Sequence, residues 1–275
     1  MMGFAELPWA LGRASDRTEA EALCRSSARC VPAGDALLAR VLGKYNLYLD
    51  PRDSGMTPYL AFDGFWEMWL TMALAQLVRP GSVCVDVGAN VGYYTALMAD
   101  LAGPRGRVHA VEPCPSTRKI LERTVLANGP GGTVKIHPYA AGAEEKAVKI
   151  GLHPHNVGGA SVDGLQPDST VWADARQVTL DSLKLGHADI IKIDAEGMDF
   201  AVLRGAEKLL SGDRTPVVFA EYIPEKWGHD EGGLRFMENL GYALYEIDGA
   251  GQFQRLSVAA LLSSAGPKTL AWRTT

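Results

Sequence analysis

The stretch Val83-Cys84-Val85-Asp86-Val87-Gly88-Ala89-Asn90-Val91-Gly92-Tyr93-Tyr94 constrains the fold more than any other part of the chain. An apolar run of strand length breaks at Gly88, and a helical pattern takes over directly after Gly92. Gly88 permits the tight turn, and Gly92 lets the following helix approach the backbone closely. Amides at the start of such a helix favour a ligand carboxylate or phosphate. Twenty residues past Gly92, Glu112 closes a second β-rich run and is followed by Pro113. An acid at that distance stands where an open α/β sheet grips the hydroxyls of a ribose. The blander reading, a glycine turn with an ordinary surface acid, has to treat this spacing as coincidence.

From residue 81 onward, β-rich runs alternate with amphipathic segments of helix length. Strands are expected at 83–87, 107–112, 134–138, 188–194 and 216–221, completed by 242–247 and 269–273, with helices at 92–101, 116–126 and 200–210. This alternation specifies an α/β fold: a Rossmann-like, mostly parallel sheet of seven strands with helices on both faces. A longer irregular stretch over 140–178 carries one extra strand at 147–152. The beginning of the chain reads differently, with a charged helix around 16–29, a hairpin near 45–59 and an aromatic helix at 64–78. Residues 1–80 are therefore expected to form an extension packed on the core, and 81–275 the ligand-binding domain.

Charge decides between nucleotides. Asp86, Glu112, Asp194 with Glu196, and Glu221 all stand at or just past the ends of expected parallel strands, the edge where such sheets bind ligands. The dinucleotide fingerprint Gly-x-Gly-x-x-Gly is broken, because Asn90 replaces its middle glycine and the third is displaced. A pyrophosphate there would meet several carboxylates in a partly desolvated crevice, where like charges repel strongly. S-adenosylmethionine (SAM) carries an ammonium and a sulfonium against a single carboxylate, so the acidic rim suits SAM and disfavours NAD. Two rivals remain: a nicotinamide-dependent oxidoreductase on the same fold, and a non-catalytic interaction module. The altered glycines oppose the first. A bare scaffold has no physical need for acids along that rim.

The segment Asp86-Val87-Gly88-Ala89-Asn90-Val91-Gly92 resembles the first motif of the FkbM family of methyltransferases. Ile191-Lys192-Ile193-Asp194-Ala195-Glu196-Gly197 resembles a later one, with Val202-Leu203-Arg204-Gly205-Ala206 behind it and Val178-Thr179-Leu180-Asp181-Ser182-Leu183 before it. Asn156-Val157-Gly158-Gly159-Ala160-Ser161 also looks like a family feature, whereas Met198-Asp199 departs from the usual small residue and Glu. The resemblance implies a class I fold, SAM as cofactor (S-adenosylhomocysteine as product) and a hydroxyl acceptor on a sugar, glycan or natural product. It also implies that Asp86 anchors the methionyl ammonium, that Gly88, Ala89 and Asn90 wrap the amino-acid end, and that Ala140 and Ala141 meet the adenine by backbone. Glu67 resembles a recurrent family acid that reaches the cofactor pocket. Tyr93 and Tyr94 open the helix after the glycine turn and either close the pocket or simply pack. A hydroxyl acceptor must lose its proton; Asp194 is the first candidate base, with a SAM or structural contact as its alternative role, and His155, a loop histidine that otherwise faces solvent, is the second. Glu196 is a candidate cap for the following helix, and Lys192, inside an apolar strand, is expected to reach a carboxylate partner. Tyr59, Phe62, Phe65, Trp66 and Trp69 read either as a sugar-stacking lip or as the apolar face of a docked helix.

Composition narrows the partners. The net charge of −5 offers no basic surplus to release counterions, which argues against nucleic acid. No apolar run reaches membrane-spanning length, so no membrane span is expected. Cys24, Cys30, Cys84 and Cys114 lack the paired spacing of a zinc site or a disulfide framework, and a cytoplasmic setting is the expectation. Asp194 and Glu221 end neighbouring expected strands and are compatible with Mg²⁺, but no third ligand is evident, so a metal is not favoured. The aromatics of the extension permit an oligomer without arguing for one.

Overall fold

A computed structural model describes residues 17–129, 132–153, 156–162, 171–224 and 231–274. The central sheet contains β4 (Val83–Val87), β5 (Arg107–Val111), β6 (Val134–His137), β11 (Ile190–Ile193), β12 (Val217–Tyr222), β13 (Tyr242–Ile247), β14 (Phe253–Arg255) and β15 (Lys268–Thr274). Their order is β14-β13-β15-β12-β11-β4-β5-β6. From β12 to β6 neighbours run parallel, while β15 is antiparallel to both β12 and β13. The eighth strand is the short edge strand β14, one more than the sequence pattern indicates, because Phe253-Gln254-Arg255 is too brief to show a period.

The order reverses between β4 and β11, which places a crevice beyond their carboxyl ends. Val85 and Val87 of β4, with Ile191 and Ile193 of β11, face one apolar layer that includes Val202, Leu203 and Met237. Cys84 and Ile190 face the other, with Leu74, Leu97 and Val108. This two-sided burial is why both strands read as unbroken apolar runs. Asp86 and Lys192 are register partners on adjacent strands, so their side chains share a face inside the second layer.

That second layer is completed from the start of the chain. Helix α1 (Arg17–Ser27) leads into an antiparallel meander of β1 (Arg29–Ala33), β2 (Ala36–Val41) and β3 (Tyr45–Leu49). Helices α2 (Thr57–Phe62) and α3 (Met68–Leu77) follow. The expected hairpin over 45–59 is therefore corrected: only β3 is a strand, and it pairs backwards with β2. Downstream of it, the Asp53 carboxylate accepts the amides of Gly55, Met56 and Thr57 at 3.2, 3.1 and 2.8 Å, and Pro58 opens α2. A side chain holding three amides competes successfully with a strand ladder. The meander is tied to α4 (Tyr93–Ala102) by Lys44 on Asp100, and to α5 (Pro115–Ala127) by Tyr48 N on Thr124.

The stretch expected to be irregular forms a second sheet. Strands β7 (Ala140–Ala141), β8 (Lys146–His153), β9 (Asn156–Val162) and β10 (Val171–Val178) associate in the order β7-β10-β8-β9. The helix expected over 200–210 is two pieces, α6 (Asp199–Arg204) and α7 (Glu207–Leu210). A Cβ on Gly205 would lie 2.0 Å from the Gly142 carbonyl, so the chain passes too close there for a continuous helix carrying side chains. Asp181 then accepts the amides of Lys208 and Leu209, supplying partners that the break removes. Helices α8 (Glu231–Asn239) and α9 (Val258–Leu262) cover the remaining face.

Candidate active site

The turns after β4 and β11 interlock at the switch point. Asp194 N donates to Val87 O at 3.1 Å, and a Cβ on Gly88 would sit 1.9 Å from Asp194 O. Gly88 has φ +70° and Asn90 φ 49°, so the turn runs through the left-handed region twice. Gly92, at φ 94°, packs where a Cβ would meet Leu121 of α5 at 2.7 Å. The amides of Gly88 and Ala89 both bond to Val111 O, Asn90 N to Glu112 Oε2 and Gly92 N to Ala89 O. These four amides are therefore spent on the protein itself. The turn needs them to hold its left-handed shape.

Two cavities meet at this turn. The first lies between the turn, β7 and the second sheet. Gly88, Asn90, Glu112, Pro113, Ala140, Ala141 and Asp194 all line it. Sequence reasoning missed Thr117, Tyr139, Ile150 and Met198, which also line it. Thr117 and Tyr139 follow the acid and alanine motifs closely enough to have been suspected; Ile150 arrives only because the second sheet forms. The second cavity is reached on the other side of Gly88. It is lined by Ala89, Tyr93 and Tyr94 together with residues of the N-terminal region.

Asp86 lines neither cavity. It is 1% exposed beneath the turn, where Thr95 Oγ1 donates to its Oδ2 at 2.6 Å and Lys192 Nζ stands 3.6 Å from Oδ1. Lys192 reaches past it to Asp194 Oδ2 at 3.3 Å and lies 5.1 Å from the centre of the Tyr94 ring. Tyr94 in turn donates to Glu67 Oε2 at 2.7 Å, and Tyr93 shares a hydrogen bond with Thr71. Lys192 thus finds the carboxylate partners that an ammonium in an apolar strand requires. Burial alone would weaken the Lys192 ammonium, but Asp194, Asp86 and Glu67 hold its pKa above the ordinary lysine range.

The neighbouring acids are pushed the other way. Burial raises Glu112 to about 7 even though it accepts the amides of Asn90 and Cys114. Burial, reinforced by the charge of Asp194, raises both Asp199 and Glu221 to about 7. Asp199 heads α6 and accepts the Gly197 amide, holding the turn after Asp194. Glu196 itself adopts φ 53° and lines both cavities. His155, the second candidate base, lies outside the described residues. Among the described residues, no group of three or more His, Cys, Asp or Glu side chains is arranged around a common metal position, and no helix is long and apolar enough to cross a membrane.

The first cavity fits SAM by its own chemistry. Its polar rim carries Glu112, Asp194 and Glu196, and no lysine or arginine is among its described lining residues. The Thr117 hydroxyl on its wall is buried without a hydrogen-bond partner, a donor waiting for a polar ligand atom. Val87, Val111, Ile150 and Met198 supply an apolar slot for a base. Such a cavity welcomes a cationic nucleoside and repels a pyrophosphate.

The methyltransferase FkbM domain matches residues 86–244, more than half of the chain. The chain belongs to the FkbM methyltransferase family. A curated relative, the protein-L-isoaspartate O-methyltransferase of Aeropyrum pernix, is 40% identical over 58 residues, which is 21% of this chain and 22% of that protein. The enzyme of the same name from Methanothrix thermoacetophila is 36% identical over 73 residues, 22% of this chain and 35% of that protein. The chain therefore matches only about a fifth to a third of the length of these curated relatives. Among solved structures, the FkbM methyltransferase of Methylobacillus flagellatus is similar at 14% identity, with a TM-score of 0.47, covering 75% of this chain and 54% of that one. The M. jannaschii protein TYW2, solved in complex with AdoMet, has 13% identity and a TM-score of 0.46, covering 88% and 86%.

Proposed function

We propose that this FkbM-family chain is a SAM-dependent O-methyltransferase that modifies a hydroxyl of a sugar, glycan or natural product. One observation carries the reading: two cavities with different walls share Gly88, Asn90, Asp194 and Glu196 at the switch point. A transferable group held in one and an acceptor held in the other come together at Asp194.

In this reading Glu112 takes the ribose hydroxyls, Ala140 and Ala141 the adenine edge, and Thr117 a polar atom of the same nucleoside; all four line the first cavity. Gly88, Asn90 and Pro113 shape the walls around them. Bound there, SAM supplies an electrophilic methyl on a sulfonium that leaves as a neutral thioether. Methyl transfer is an in-line displacement, so alignment supplies much of the acceleration. Asp194 takes the hydroxyl proton as the acceptor oxygen forms its new C–O bond. Lys192, braced by Asp86, fixes the direction of the Asp194 carboxylate. Asp86 and Lys192 are thus positioning residues. Glu67 holds Tyr94 beneath Lys192 and closes that network.

Isothermal titration with S-adenosylhomocysteine tests the reading. Saturable binding near one per chain, together with radiolabel transfer from SAM to a hydroxylated acceptor, is the expected result. A folded chain that ignores S-adenosylhomocysteine but binds NADH overturns it in favour of an oxidoreductase.

A further inference from the structure

The second cavity has a wall that cofactor binding does not explain. That wall comes from outside the Rossmann-like core: the loop Ser54, Gly55 and Met56, then Tyr59 of α2, then Trp66. The Tyr59 and Trp66 rings meet edge to face, 5.3 Å apart at 68°. Tyr59 is 53% exposed, although an aromatic ring of this size gains most by burial.

The wall is also held firmly. The buried Asp53 carboxylate fixes the loop through three amides. The Trp66 carbonyl accepts the Thr71 hydroxyl at 2.9 Å, and Glu67 next to it is held in the left-handed region at φ 35°. The Asn90 side-chain Nδ2 donates to Met56 Sδ at 3.8 Å, linking the wall to the cofactor turn. Aromatic rings fixed at an open mouth are arranged to meet a ligand face, not to fill a core.

The opposite side of the cavity is polar and acidic. It carries Asp194 and Glu196, and its lining lysine, Lys192, is already committed to Asp86 and Asp194. An anionic ligand would be repelled from this floor. A fully apolar one would take these carboxylates out of water while offering them no hydrogen-bond donor of its own. A polyhydroxylated ring satisfies both sides, because its C–H face covers aromatic rings while its hydroxyls donate to carboxylates.

We propose that this chamber is the acceptor site and that it takes an uncharged, polyhydroxylated ring, stacked on Trp66 and Tyr59 with a hydroxyl directed to Asp194. The assignment rests on the methyltransferase reading above and narrows it to one cavity and one charge class of acceptor.

The test titrates the full chain, with and without saturating S-adenosylhomocysteine, against a panel of methyl hexopyranosides, the matching hexuronates and hexose 6-phosphates. At least one neutral glycoside binds saturably, and the uronates and phosphates bind at least about tenfold more weakly, a difference of about 1.4 kcal/mol. Tyr59→Ala and Trp66→Ala each weaken the glycoside about tenfold while S-adenosylhomocysteine binds within about twofold of wild type. Because Tyr59 is exposed, its variant keeps the wild-type melting temperature and decides the matter even if Trp66→Ala unfolds. The proposal is overturned if every neutral glycoside fails, if a uronate or phosphate binds more tightly, or if Tyr59→Ala binds like wild type. Loss of S-adenosylhomocysteine binding alone would instead sink the methyltransferase reading, and the titrations without it still judge the chamber.

Discussion

The two cavities that meet at Gly88 are built by opposite strategies. The cofactor side is shaped by backbone: left-handed turns at Gly88 and Asn90, a helix start without a Cβ at Gly92, and alanines at 140 and 141. The acceptor side is shaped by large side chains, Tyr59, Trp66 and Met56, set on a loop and a short helix from another part of the chain. A backbone-built pocket tolerates almost no substitution, whereas a side-chain-built one changes ligand by exchanging a ring.

The largest effect should come from breaking the cofactor side at its tightest point. Gly88→Ala must move either β11's turn or its own, on top of about 1–2 kcal/mol for left-handed alanine, and calorimetry should detect no S-adenosylhomocysteine binding. Retained affinity would mean the turn is not part of the donor site. Next in size is the junction: Asp194→Asn should lower kcat by about 100- to 10,000-fold while leaving S-adenosylhomocysteine affinity within a few-fold. An equal loss in both would reassign Asp194 from base to binding group.

A smaller effect is expected beneath the turn. Asp86→Ala strips one partner from buried Lys192, and urea denaturation should show a loss of about 3 kcal/mol, the low end for breaking a buried pair because Asp194 still faces it. The smallest is a pH slope. Glu112, Asp199 and Glu221 are raised to about 7 in the folded chain, so each favours folding below the ordinary carboxylate range and loses that contribution as pH rises towards 7. His109, buried against His137 and lowered to about 4, slopes the other way between about 4 and 6.5. Glu221→Gln should therefore flatten the fall in melting temperature between about pH 5 and 7. An unchanged profile would show that Glu221 is not a protonated rim acid.

Legibility follows the same division. The parallel core and its glycine turn were readable because buried strands, left-handed glycines and strand-end acids each leave a local mark in the sequence. Asp86 and Lys192 were separately visible, but their pairing arises from sheet register across more than a hundred residues, which no spacing records. Of the sheet of β7 to β10, the strand expected at 147–152 is β8, but its partners were not legible because they, β9 with Gly158-Gly159 above all, lack a strong apolar period. The meander at 29–49 was displaced because Tyr45–Leu49 alternates well, yet its partner lies upstream, not downstream. The aromatic wall was visible as residues and illegible as a place, since Tyr59 and Trp66 reach the switch point only through packing of α2 and α3.

Strand β15 sits between β12 and β13, although it follows both along the chain. During synthesis, β12 therefore emerges with one edge uncovered, and β13 with β14 cannot join the sheet until residues 268–274 have left the ribosome. Until then the growing chain displays an open apolar strand edge, the kind of surface that pairs with whatever strand comes first. Strand β15 closes that edge by pairing with β12 on one side and β13 on the other.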